Sequence, residues 1–158
     1  FLPVVQRYCD FLVRYAALLY LDAGMDIGRT AAGGINEDIQ FEAEDCAFST
    51  DAQADTVWSM IRESGSRLNI LLVNLRGNNA RWNEAKAAPK AAENIRIHVR
   101  LDRPIAGAFA ASPDGESLCA ERLPLTCRQT PQGRIYTAEL ARLEYWTAVW
   151  FTMGEERC

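Results

Sequence analysis

The residues of this chain that could act as acids, bases or nucleophiles are few and badly spaced for it. Glu37 with Asp38, and Glu44 with Asp45, are adjacent carboxylates in an acidic stretch, residues 35–55. Paired carboxylates serve general acid/base catalysis when they converge on one reacting atom, and neighbours on an extended strand point to opposite faces instead. The stretch also lacks the Asp-x-Asp-x-Asp-Gly spacing of a dedicated calcium loop, so it is expected to be a solvated acidic strand edge. Ser112 and Ser117 stand outside any Gly-x-Ser-x-Gly elbow. The single histidine, His98, falls between Arg96 and Arg100 on the polar side of a strand pattern, as a surface histidine and not an imidazole base. Gly33-Gly34 lacks the Lys-Ser/Thr that would make it a phosphate-binding loop.

The five cysteines, Cys9, Cys46, Cys119, Cys127 and Cys158, form no Cys-x-x-Cys pair, and with one histidine they make no zinc set. Cys119 and Cys127 could face each other across a hairpin, but an odd count leaves at least one thiol free. Buried free thiols are the favoured expectation over a disulfide. The chain is thus expected to hold no catalytic residue, no metal and no cofactor.

The elements that would position a site are mostly strands. In residues 95–101 every second residue is apolar (Ile95, Ile97, Val99, Leu101), which puts one face on a core and the other in water. Residues 56–63 alternate in the same way, and residues 67–75 are apolar on both faces except at Asn69 and Asn74, the pattern of a central strand. Residues 105–111 end at the turn signal Ser112-Pro113-Asp114-Gly115. Residues 118–126 make a poor strand containing Pro124, which belongs at an edge. Two further strands follow, from Gln132-Gly133 and over residues 145–151. About seven or eight strands at this spacing predict a mainly β fold, an antiparallel Greek-key β-sandwich.

One amphipathic helix precedes it. Over residues 3–21, Val4, Tyr8, Phe11, Leu12, Tyr15, Leu18 and Leu19 form a helical stripe, with Pro3 in the first turn and Gly24 and Gly28 ending the element. Residues 1–28 are therefore set apart as a terminal helix and link, and residues 29–158 as the sandwich. The change from period 3.6 to period 2 near Gly33-Gly34 places the helix outside the sandwich.

At 158 residues, 49% apolar and 24% charged, the composition is that of a soluble globular protein, with no uninterrupted apolar run of membrane-spanning length. The net charge of -4 and the scatter of Arg62, Arg67, Arg76 and Arg81 argue against a nucleic-acid partner. The N-terminus lacks the basic region and small-residue cleavage site of a signal peptide, and a chain opening on Phe1 looks excised from something longer.

Four strings, in order, resemble a family: QRYCDFLVRYAALLYL, LLVNLRGNNARWNEAKAAP, ASPDGESL and LEYWTAVWF. They look like the end of glycoside hydrolase family 66, the dextranases and cycloisomaltooligosaccharide glucanotransferases. The resemblance implies that the helix closes a catalytic (β/α) barrel and that a C-terminal β-sandwich follows. It implies an Asp nucleophile and a Glu acid/base in the barrel upstream of Phe1, so no position here inherits either role. Retaining chemistry needs two carboxyls about 5 to 5.5 Å apart, which the adjacent pairs here do not offer. The expected function is then a non-catalytic C-terminal domain of a secreted, extracellular enzyme acting on α-1,6-glucan, bracing the barrel of the same parent chain. The alternative is a carbohydrate-binding module whose aromatic platform draws on Trp58, Trp82, Trp146, Trp150 and Tyr145. Trp82 and Asn83, in the long polar loop after Gly77, are the substrate-binding candidates, since a ring beside an amide can stack on a sugar and hydrogen-bond its hydroxyls. Trp146 and Trp150 share a face with Ala148, and both faces of their strand are apolar, so one is expected on the second sheet and the other on the helix or barrel.

Overall fold

A computed structural model describes residues 2–22, 24–79, 81 and 83–154 of the chain. Helix α1 (Pro3–Arg14) opens with Pro3 where its missing N–H costs nothing, and a π-helical turn (Ala17–Leu21) extends it. Gly24, at φ +81, then lies so close to the backbone at Glu63 that a Cβ on it would stand 2.3 Å from the Glu63 carbonyl oxygen. Only glycine fits that turn.

The strands are β1 (Met25–Asp26), β2 (Ile39–Glu42), β3 (Phe48–Ser49), β4 (Val57–Glu63), β5 (Arg67–Asn74) and β6 (Ala92–Arg100). They continue as β7 (Ile105–Ala111), β8 (Glu121–Arg122), β9 (Leu125–Thr130), β10 (Gly133–Leu143) and β11 (Trp146–Met153). A seven-stranded sheet runs β1-β4-β5-β11-β7-β8 with β3 beside β4, and a four-stranded sheet runs β2-β6-β10-β9. All pairings are antiparallel except β3 with β4, a short parallel departure from the expected pattern. The mainly β, sandwich-like architecture with one N-terminal helix is the predicted one.

The core lies between the sheets. Val57 and Ile61, Leu68, Ile70 and Leu72, and Val149 and Phe151 come from one side; Ile95, Ile97 and Val99, with Ala138 and Leu140, come from the other. Each set alternates with outward residues, which is why period 2 was readable in the sequence. Strand β6 begins at Ala92, earlier than expected. Asn94, at φ +53, sits in the left-handed region that asparagine tolerates, and it breaks the alternation so that Ala92 and Ile95 are both buried.

Pro124 marks a crossing between the sheets, so residues 118–126 are not one strand. The Leu123 amide donates to Ala108 O (2.9 Å) on the seven-stranded side, while Pro124 O accepts from the Glu139 amide (3.1 Å) on the other. With no N–H of its own, Pro124 can leave one ladder and enter the next without orphaning a donor. No described helix is long and apolar enough to cross a membrane.

Candidate functional site

Helix α1 lies across the outer face of the seven-stranded sheet. Phe11 and Leu18 are buried against Ala111 and Ala148, with Tyr15, Leu19, Leu71, Trp146 and Trp150 packed around them. Phe11 meets Trp146 edge to face at 4.9 Å, and Tyr15 lies 5.9 Å from the Trp150 ring. The face of β11 carrying Trp146, Ala148 and Trp150 thus meets the helix, and the face carrying Val149 and Phe151 meets the second sheet, as their alternation predicted. Val4, expected in the inner stripe, is instead exposed, because the helix meets the sheet from Tyr8 onward.

Polar groups fix the seating of this helix at its beginning, middle and end. At the beginning, the turn after β7 reaches over the helix. Tyr8 donates its hydroxyl to Asp114 Oδ1, Arg7 Nε donates to Pro113 O (2.6 Å), and the Arg7 guanidinium also reaches Gly115 O. Asp114 Oδ2 accepts the amides of Tyr145 (3.1 Å) and Trp146 (2.9 Å), and Ser112 Oγ donates to Trp146 O (2.7 Å). In the middle, Tyr15 donates to Leu118 O (2.7 Å). At the end, Arg67 pairs with Asp22 (2.5 Å), and Asn69 Nδ2 donates to Asp22 O (3.3 Å).

The two asparagines that interrupt β5 therefore have work that their spacing alone did not disclose. Asn69 holds the end of the helix. Asn74 donates to Glu144 O (2.7 Å) and Lys90 O (3.0 Å) and accepts from the Arg76 amide (3.1 Å), tying the turn before β11 to the long loop after β5. A buried amide inside an otherwise apolar central strand is the signal that points to such ties.

Electrostatics follow the same geometry. Burial, then the hydrogen bond to Asp114 and its charge, push the Tyr8 phenol well above its ordinary range. Burial also raises Tyr15. Cys119 is lowered, first by the Ser117 hydroxyl and then by Arg14, whose Nη2 lies 3.3 Å from its sulfur.

The polar groups under the turn are engaged mainly with one another and with backbone. A cleft of about 700 Å³ beneath the turn is lined by Asp114, Glu116, Glu121 and Glu144. Donors occupy both oxygens of Asp114, and Glu144 pairs with Arg142 (2.7 Å). Ser112, likewise, is engaged with Trp146 and Asp114.

The other residues singled out in the sequence are dispersed. Trp82 lies outside the described residues, and Asn83 is exposed in a turn of the long loop. Trp58 is half-buried and donates Nε1–H to Thr50 O (3.1 Å). His98 is half-buried, with Nδ1 2.9 Å from Thr137 Oγ1 and Nε2 3.4 Å from Glu42. Asp38, in the turn before the edge strand β2, pairs with Arg100 at the end of β6. The expectation of buried thiols is overturned. Cys9, Cys119 and Cys127 are exposed and Cys46 half-buried, all four free, because β9 is an edge strand open on both faces and Cys119 follows an exposed turn. Among the described residues no three His, Cys, Asp or Glu side chains gather as a metal-binding group.

Helix α1 has a second apolar stripe that the sequence reading missed. Leu2, Val5, Cys9 and Val13, spaced to share one side of a helix, point away from the sandwich, and Leu2 is 69% exposed, Val5 40% and Val13 78%. Tyr20 and Leu21 in the π-helical turn are exposed as well.

Residues 3–150 match glycosyl hydrolase family 66. The chain belongs to that family. Two cycloisomaltooligosaccharide glucanotransferases of Niallia circulans are similar to it, one 29% identical over 104 residues, 65% of this chain, and one 26% identical over 148 residues, 92% of this chain. The family 66 chain spans only 11% and 14% of those relatives' lengths. Its fold is shared with a crystal structure of a Paenibacillus sp. cycloisomaltooligosaccharide glucanotransferase complexed with cycloisomaltoheptaose. That likeness has a TM-score of 0.71 at 22% identity, over 93% of this chain and 20% of the other.

Proposed function

We propose that this chain is the non-catalytic C-terminal β-sandwich of a secreted, extracellular family 66 enzyme acting on α-1,6-glucan, and that it braces the catalytic (β/α) barrel of the same parent chain through α1. The observation that carries this is the helix with two apolar sides, one seated on the sandwich and one facing outward. Gln6, Asp10 and Arg14 lie on the same helix, so the outward stripe is a distinct exposed apolar strip, the kind of feature that marks a contact surface. Each Leu or Val taken from water by a covering surface contributes roughly 1.5–3 kcal/mol. The relatives, named for glucanotransfer on cycloisomaltooligosaccharides and far longer than this chain, support both the substrate class and the presence of a larger body to cover it. The structural hydrogen bonds that occupy both oxygens of Asp114 support a non-catalytic role.

The alternative of an aromatic sugar platform loses two of its members, because Trp146 and Trp150 pack under α1.

The test is charge on the outward stripe of the full-length protein. Val5→Glu and Val13→Glu each bury an unpaired carboxylate in the proposed joint, and each is expected to destabilise the protein by at least about 2 kcal/mol and to reduce activity on α-1,6-glucan. Melting and activity unchanged by both substitutions would contradict the joint.

A further inference from the structure

We propose that the groove between the sheet edges at β2 and β3 is a saccharide-binding subsite, taking a stretch of a neutral oligosaccharide chain. The sandwich is not closed there. Strand β2 is the edge of the four-stranded sheet, β3 pairs with β4 alone among the described strands, and a cleft of about 670 Å³ opens between β2 and β3. That volume falls in the ~300–1,000 Å³ range of small-ligand sites.

The floor is apolar and partly aromatic. Phe41 and Phe48 stack with ring centres 5.1 Å apart and planes within 16°, both half-buried over Ile39 and Ile61. The rim is polar: the exposed amides of Gln40 and Gln53, and Arg29 paired with Asp51 at 2.6 Å. Because Arg29 and Asp51 cancel, the rim offers donors and acceptors without net charge. A pyranose has the complementary chemistry, an apolar C–H face for the rings and a girdle of hydroxyls that both donate and accept. A phosphorylated ligand would need unpaired cations or converging backbone amides. Arg29, the only cation on the lining among the described residues, already has its carboxylate.

The inference rests on the proposed function for one point, the choice of α-1,6-linked glucose as the probe. The experiment labels the full-length protein with a diazirine-bearing isomaltooligosaccharide and maps the modified peptides. Label within residues 39–53, removed by excess unlabelled sugar and reduced at least about fivefold by Phe48→Ala and by Gln53→Ala, is the expected result. Gln53 is exposed, so its substitution leaves the core intact. Label absent from that segment, or undiminished in both variants, overturns the subsite. A diazirine maltooligosaccharide that labels the groove equally well supports the subsite while counting against the α-1,6 reading of the parent.

Discussion

Asp114 joins more parts of this molecule than any neighbour in its turn: the Tyr8 hydroxyl from the helix, the Tyr145 and Trp146 amides entering β11, and Ser112 beside it. Asp114→Ala leaves two backbone amides and a phenol without their acceptor, and is expected to lower stability by about 1–3 kcal/mol in denaturant melts. Asp114→Asn keeps an acceptor oxygen and should lose less. Equal losses for the two would mean that the carboxylate does not organise the turn. The thiols give a second expectation at this scale. Cys119 is exposed and its pKa is lowered by Ser117 and Arg14, whereas half-buried Cys46 is raised by burial. At neutral pH iodoacetamide should modify Cys119 well before Cys46, by peptide mapping of a time course.

Helix α1 and the sheet beneath it form one packing unit, and Phe11 is its centre, fully buried against Trp146 and Tyr15. Phe11→Ala is expected to cost about 3–5 kcal/mol, read as a shift of the unfolding midpoint. The same unit should respond to alkali. The Tyr8 phenol is raised above its unfolded value, so the neutral, donating form is the one the fold prefers. Its stabilisation is complete below the unfolded pKa of about 10 and is lost as the pH rises through the higher folded value. Tyr8→Phe should flatten that part of the stability profile, and an unchanged alkaline slope would show that Tyr8 does not set it. The inner stripe of α1 and the two faces of β11 were legible in the sequence because large aromatics at regular spacing report directly on burial. The outward stripe was not, since Val5, Cys9 and Val13 are small and individually unremarkable beside Phe11 and Tyr15. The sheet crossing at Pro124, the β3 pairing and the ties of Asn69 and Asn74 depend on partners distant in the chain, which periodicity does not encode. The stacking of Phe41 on Phe48 was not legible for the same reason: only folding brings their rings together.

On the scale of the whole molecule, the sandwich buries its own core between two sheets and seats α1 on one of them, yet leaves the other side of that helix apolar and open. The proposed joint to a catalytic barrel closes that side, and Cys9 sits within it as a native reporter. Cys127 is the natural reference, exposed on the edge strand β9 far along the chain. The decisive measurement is the alkylation rate of each thiol in the folded full-length protein. The joint predicts that Cys127 reacts promptly while Cys9 stays unmodified until the protein is unfolded. Modification of Cys9 as fast as Cys127 would mean that the outward face of α1 is open to water, and the bracing role would fall.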